Sequence, residues 1–244
     1  MRCLVLSDIH SNLEAFEAVL EDAGPVDQVW CLGDVVGYGP DPNACVDLLR
    51  SLPHLCIAGN HDWATLGMLD LRDFNPDARD ANQWNQEQLS PDNLVYLKAL
   101  PEILVEDRFT LAHGSPRYPI WEYVIYASTA RDIFEHFSTP VCFVGHTHTP
   151  AIFRLESQED RKACVALLPT LNEPLSLASG RLIVNPGSVG QPRDGDPDAS
   201  YIILDTEAFT VEYRRVPYPV EVTQAKMMTH GLPMRLAVRL TYGW

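Results

Sequence analysis

The residues able to do metal or proton chemistry in this 244-residue chain fall into short clusters with repeated spacing. The run VGHTHTP places His146 and His148 one residue apart, just before Pro150. Upstream, SDIH carries Asp8 and His10, LGD carries Asp34, AGNHD carries Asn60, His61 and Asp62, and LAHG carries His113. Neutral imidazole is the commonest side-chain metal ligand. With carboxylate and amide oxygens it makes a mixed N/O donor set that suits Mn, Fe, Zn or Co, while the lack of thiolate argues against a soft-metal cage. Each cluster alone also reads as a turn, because Asp and Asn close turns through local hydrogen bonds. Turn chemistry does not explain all five together.

The elements that must position these residues are apolar runs ending at each cluster. RCLVLSD, QVWCLGD, HLCIAGN, LAHG and PVCFVG read as strands. Between the first two lies SNLEAFEAVLEDAG, with a capping-box pattern from Ser11 to Glu14, apolar residues at helical spacing and Gly24 as a stop. PNACVDLLRSL repeats the helix before the third strand. This β-α-β-α-β order predicts a parallel sheet with helices on its faces. Ligands of such sheets bind at the C-terminal edge of the strands. Glycines beside Asp34, Asn60, His113 and His146 permit tight turns and close backbone approach there.

Further along, residues 63–100 read as largely helical, 102–113 as two short strands and 127–138 as a helix. AIFRLE, RLIVN, YIILD and TVEYRRV then read as strands. Residues 157–179 read as a surface insertion or long hairpin connection, and 219–244 as a helical tail broken by Gly231 and Pro233. That tail either folds back on the domain or serves a dimer interface, and no pattern chooses. A single domain over 1–244 is expected.

Composition narrows the function. The 33 acidic and 18 basic residues give a net charge of −15, which disfavours long nucleic acids as partners. A small phosphate ester remains compatible, because a bound cation dominates its local field. No apolar run reaches the roughly 18 residues that span a bilayer, so no membrane partner is expected. The start reads as a first strand in place of a secretory signal, and the expectation is a cytoplasmic protein. Six cysteines sit singly, without a C-x-x-C pair, and read as reduced core residues. Oligomeric state is not legible.

The ordered set D-x-H, G-D, G-N-H-D, H-G and G-H-T-H over residues 8–148 resembles the calcineurin-like metallophosphoesterases. GDVVGYGPDPN, HGSPRYPIWEYV and NPGSVGQPRDGDPDASY extend the likeness to a bacterial subgroup often described as phosphoesterase or diadenosine-tetraphosphatase-like. The resemblance implies a four-layer α/β/β/α sandwich with two metal ions at the sheet edge. It implies that Asp8, His10 and His148 bind one metal, that Asn60, His113 and His146 bind the other, and that Asp34 bridges them. Mn or Fe is favoured, with Zn, Co and Ni also compatible. Two such ions about 3.5–4 Å apart activate a water and neutralise a phosphoryl group in an in-line displacement.

His61 is the candidate general acid to the leaving alkoxide, against the plainer role of capping its turn. Asp62 and Asp41 are the candidates to orient it. Serine/threonine protein phosphatases of the same superfamily carry Asp and Arg where this chain has Gly37 and Tyr38, so a protein-phosphatase role is not expected. Arg117 and Arg193 are candidate phosphate contacts, or structural ion pairs to acids such as Asp194. Tyr38, Trp63 and Trp121 either stack a nucleobase or simply pack. The function expected is hydrolysis of a small soluble phosphodiester or nucleotide. The alternatives are a phosphomonoesterase and a non-catalytic interaction module of the same fold, the latter disfavoured because all seven ligand positions are filled.

Overall fold

A computed structural model of the chain describes residues 1–156 and 164–244. The first half alternates as expected: β1 (Arg2–Leu6), α1 (Leu13–Ala23), β2 (Gln28–Cys31), α2 (Pro42–Arg50) and β3 (His54–Cys56). Strands β1, β2 and β3 are parallel neighbours. The helical stretch resolves into α3 (Asn60–Thr65), a 3-10 turn at Leu71–Asp73, α4 (Pro76–Gln88) and α5 (Pro91–Lys98). Proline opens α2, α4 and α5, where its missing N–H costs nothing. Then come β4 (Ile103–Glu106), β5 (Phe109–Ala112), α6 (Ala127–Ile133) and β6 (Val141–Phe143). The remainder is β7 (Ala151–Leu155), β8 (Cys164–Leu167), β9 (Pro174–Ser176), β10 (Arg181–Asn185), β11 (Ala199–Asp205), β12 (Thr210–Val216), α7 (Val220–Thr229) and α8 (Met234–Arg239).

Two six-stranded sheets result, in the orders β3-β2-β1-β11-β12-β9 and β4-β5-β6-β10-β7-β8. Both are mixed: β11 and β12 add antiparallel to the parallel β3-β2-β1 set, and β4 and β7 flank the parallel β5-β6-β10 set antiparallel. The strands read as continuous apolar runs because both faces are covered. Alternate residues of β1 show it: Cys3 and Val5 enter the layer between the sheets with Trp30, Phe109 and Phe143, while Leu4 and Leu6 pack outward under Phe16 and Val19 of α1. On the other sheet Phe143 faces inward, and Cys142 and Val144 face Ala130 and Ile133 of α6. This is the α/β/β/α sandwich. Of the segment 157–179, residues 157–163 lie outside the described residues. The rest supplies β8 beside β7 and β9 beside β12, one edge strand to each sheet.

Two local expectations change. Asn12, not Ser11, caps α1: its side chain accepts from the Ala15 N–H at 3.2 Å. Ser11 is held in the left-handed region (φ 51) and its hydroxyl donates to Asn85 Oδ1 at 2.7 Å, so tertiary bonding claims the residue that local pattern assigned to the cap. Helix α6 stops at Ile133, short of residue 138. The tail folds back. Thr223 Oγ1 donates to Asn12 Oδ1 at 3.0 Å, Lys226 pairs with Asp41 at 2.9 Å, and Met227, Leu236 and Leu240 pack with Tyr38, Ala78 and Ala81. The six cysteines form no disulfide. Among the described residues no helix is long and apolar enough to cross a membrane.

Candidate metal centre

The turns that follow β1, β2, β3, β5 and β6 converge where the two sheets meet. Asp8, His10, Asp34, Asn60, His113, His146 and His148 are all buried there. Five of the seven adopt left-handed backbone: Asp8 (φ 54), His10 (φ 51), Asp34 (φ 54), His146 (φ 65) and His148 (φ 59). Non-glycine residues occupy that region at a steric cost, and such strain clusters at functional sites. Glycine opens the space around them. A Cβ on Gly59 would stand 2.1 Å from Asp34 Oδ1.

Two groups of donors form. Single ligand atoms of Asp8, His10, Asp34 and His148 lie within 4.8 Å of one another, as do those of Asp34, His113 and His146. Asn60 joins the second group, with Oδ1 3.1 Å from His113 Nε2. Asp34 belongs to both. Its Oδ1 accepts from the His61 N–H at 2.8 Å, while Oδ2 lies 3.6 Å from His10 Nε2 and 3.3 Å from His113 Nε2.

The residues fit a pair of divalent cations. Nδ1 of His10, His113 and His148 faces the carbonyls of Val36, Leu32 and Gln191 at 3.1, 2.8 and 2.5 Å. A carbonyl accepts only from N–H, so each ring carries its proton on Nδ1 and presents a bare Nε2 to the centre, the arrangement found around metal-bound histidines. The two lone pairs on His10 Nε2 and His148 Nε2 then face each other at 3.1 Å, which calls for a cation or proton between them. Asp8 Oδ1, Asp34 Oδ2 and His146 Nε2 are buried with no hydrogen-bond partner. Orphaned acceptors of this kind are rare unless an ion satisfies them.

Electrostatics agree in sign. Burial opposes ionisation of Asp8 and Asp34, yet His148 beside the first and His113 beside the second hold both carboxyls well below the usual range. Burial pulls His146 down to about 3 and His61 to about 4. His113 goes the other way: burial works against its charge, but Asp34 pushes it up to about 10. A cation at Nε2 meets the same carboxylate demand as that proton.

His61 is oriented by neither of the acids expected. Its Nδ1 lies 2.9 Å from Asn82 Oδ1, an acceptor supplied by α4. Asp62 instead accepts from the backbone N–H groups of Asp34, Val36 and Gly59 at 2.9, 3.1 and 3.0 Å, tying the β2 and β3 turns together. Asp41 is bound to Lys226. Nothing local in DARDANQWNQEQL marks Asn82, because its role depends on how α4 docks.

A cavity of about 560 Å³ lies beside the centre, lined by Tyr38, Tyr123, Arg193 and residues of the 75–77 turn and of the tail. Tyr38 is buried, with its ring centroid 4.6 Å from His10 and 4.3 Å from His61, so packing takes most of its surface. Tyr123 packs on His146 with ring centroids 3.9 Å apart and planes tilted by 31°, a neighbour that sequence did not single out. Trp121 packs on Phe74 at 5.1 Å, and Trp63 does not line the cavity. Arg193 reaches the cavity and does not pair with Asp194, which is bound to Arg215. Arg117 is not a lining residue: it is held by Glu122, which also accepts from Ser115.

Comparison with known proteins agrees with this geometry. The calcineurin-like phosphoesterase superfamily domain matches residues 1–208. The crystal structure of a metallophosphoesterase from Sphaerobacter thermophilus superposes with a TM-score of 0.91 and 49% identity, covering 100% of this chain and 99% of that one. An uncharacterized protein of Methanocaldococcus jannaschii is 39% identical over 98% of this chain and 97% of its own length. A symmetrical bis(5'-nucleosyl)-tetraphosphatase of Glaesserella parasuis is 26% identical over 54% of this chain and 51% of its own. A family match across the turns that carry the seven donors, joined to full-length likeness to a solved metallophosphoesterase, makes this chain a member of the calcineurin-like phosphoesterase superfamily and a hydrolase.

Proposed function

We propose that the chain is a dinuclear metal-dependent phosphoesterase acting on a small soluble phosphodiester or nucleotide, with monoesters as close variants. The observation that carries this reading is Asp34 Oδ2, buried without a hydrogen-bond partner between His10 and His113 and shared by both donor groups. Asp8, His10 and His148 would hold one ion, Asn60, His113 and His146 the other, and Asp34 both. Mn or Fe suits this N/O set. When bound, the pair supplies charge to the phosphoryl oxygens and lowers the pKa of an attacking water.

The chain's own residues do the rest. The carbonyls of Val36, Leu32 and Gln191 fix the ring orientations, so the donors need no rearrangement to bind. Asn82 Oδ1 holds the Nδ1 proton of His61, leaving Nε2 to carry the proton given to the leaving alkoxide. Burial opposes the charged form of His61, and the negative phosphoryl group of bound substrate works in its favour. The unpaired excess of acids keeps long polyanions away, and the six cysteines without a disulfide fit a reducing, cytoplasmic setting for this one-domain enzyme.

The test is His61→Ala on two esters. With a poor leaving group such as a nucleoside alkoxide, kcat falls ~10²–10⁴-fold; with p-nitrophenolate, which needs no proton, the loss stays under about tenfold. Equal losses on both esters would remove the acid role.

A further inference from the structure

The cavity beside the centre is lined by three guanidinium side chains, Arg193, Arg235 and Arg239, against one acidic side chain, Asp77. In a chain with 33 acids this imbalance is unusual. Most other arginines are spoken for: Arg72, Arg79, Arg108, Arg117, Arg131, Arg154, Arg214 and Arg215 each pair with a carboxylate. Among the described residues no Asp or Glu side chain lies within ion-pair distance of the three cavity arginines. Arg193 Nη2 donates to Tyr38 Oη and Gln191 Oε1 at 3.2 and 3.1 Å, but its buried Nε has no partner. Arg239 Nε donates to the main-chain oxygen of Trp244. Arg235 is exposed and makes no hydrogen bond to any described residue.

Such an arrangement costs stability in the free protein. Arg235 and Arg239 are four apart on α8, a spacing at which like charges repel. Burial, and then Arg193, bring Arg239 down to about 10. No acidic side chain among the described residues takes up Arg193 or Arg235 as an ion pair. The cavity meets the candidate metal centre through Tyr38, packed on His10 and His61, and Tyr123, packed on His146. Arginine forks match phosphate oxygens bidentately.

Building on the hydrolase reading above, we propose that Arg193, Arg235 and Arg239 form a subsite for a second phosphate of the substrate, beyond the one placed at the metal centre. The preferred substrate class is therefore a small ester or anhydride with at least two phosphates. Residues 235 and 239 lie outside the matched family domain, so the subsite is added by the tail. The phosphates belong either to a nucleotide, with Trp244 at the cavity wall available to its base, or to a polyphosphate without a base.

The experiment uses the metal-loaded protein in excess free metal. Binding of inorganic phosphate, tripolyphosphate and ATP is measured by calorimetry, and again as competition against bis(p-nitrophenyl) phosphate hydrolysis. Tripolyphosphate is expected to bind at least about tenfold more tightly than phosphate, the worth of one charge-assisted hydrogen bond. In Arg235→Ala, an exposed site where misfolding is not at issue, that gap closes to about twofold while phosphate affinity holds. ATP binding more tightly than tripolyphosphate assigns the nucleotide source; equal binding assigns phosphates alone. Equal affinity for phosphate and tripolyphosphate, or a gap unchanged in Arg235→Ala, overturns the subsite. Calorimetry reads it even without turnover, whereas absent hydrolysis counts against the hydrolase reading alone.

Discussion

Asp34, after β2, and His61, at the start of α3, lie on two turns joined directly: the backbone N–H of His61 donates to the carboxylate of Asp34. The proposed proton donor and the proposed bridging ligand are thereby held at a fixed spacing. Asn82 completes the arrangement as a positioning residue, since it touches His61 and not the reacting atoms. Asn82→Ala is expected to lower kcat about tenfold on poor leaving groups with KM unchanged, whereas Asn82→Asp, which keeps an acceptor, retains most of the rate. A KM effect without a kcat effect would place Asn82 in substrate binding instead. The seven donors were legible in sequence because each sits beside a glycine or a turn at the end of an apolar run, a signal written within four residues. Asn82, Tyr123, Arg235 and Arg239 carry no such signal. They reach the site from α4, the 114–126 loop and α8, and only the docking of those segments brings them there.

At the scale of elements, the turns after β2 and β3 are the tightest part of the framework. Asp62 caps three backbone N–H groups across them, and Gly59 lets Asp34 pass. Gly59→Ala would push a methyl into the Asp34 carboxylate, and metal affinity is expected to fall about 10–100-fold, as for other losses of support to a ligand. Calorimetric metal titration reads this directly; unchanged affinity would mean that the turn yields without moving Asp34. Asp62→Ala, which leaves three buried N–H groups without their acceptor, is expected to cost about 2–5 kcal/mol in urea unfolding. A loss under about 0.5 kcal/mol, the range of ordinary surface changes, would show that water replaces the carboxylate. The parallel set β1, β2 and β3 followed from the alternation of apolar runs and helices, while the α1 cap did not, because a distant asparagine bonded Ser11 first. The edge strands β8 and β9 were read as part of a connection because each is short: CVAL has four residues and PLS three, too few for a periodic strand signal.

For the whole molecule, an acidic body surrounds a centre designed for cations and a cavity lined by arginines. The net charge of −15 disfavours long polyanions, and the tail, packed on Tyr38, Ala78 and Ala81 by Met227, Leu236 and Leu240, lines the cavity proposed to take a small ester. The central claim is that seven donors hold two ions at once and that both are needed for hydrolysis. Its most direct test is to titrate metal-stripped protein with Mn while following hydrolysis of bis(p-nitrophenyl) phosphate, beside Asp34→Asn. Turnover should rise to a plateau at about two equivalents per chain, with the variant binding more weakly by about 10–100-fold and losing its activity with it. A plateau at one equivalent, or full turnover in Asp34→Asn, would contradict a bridged pair.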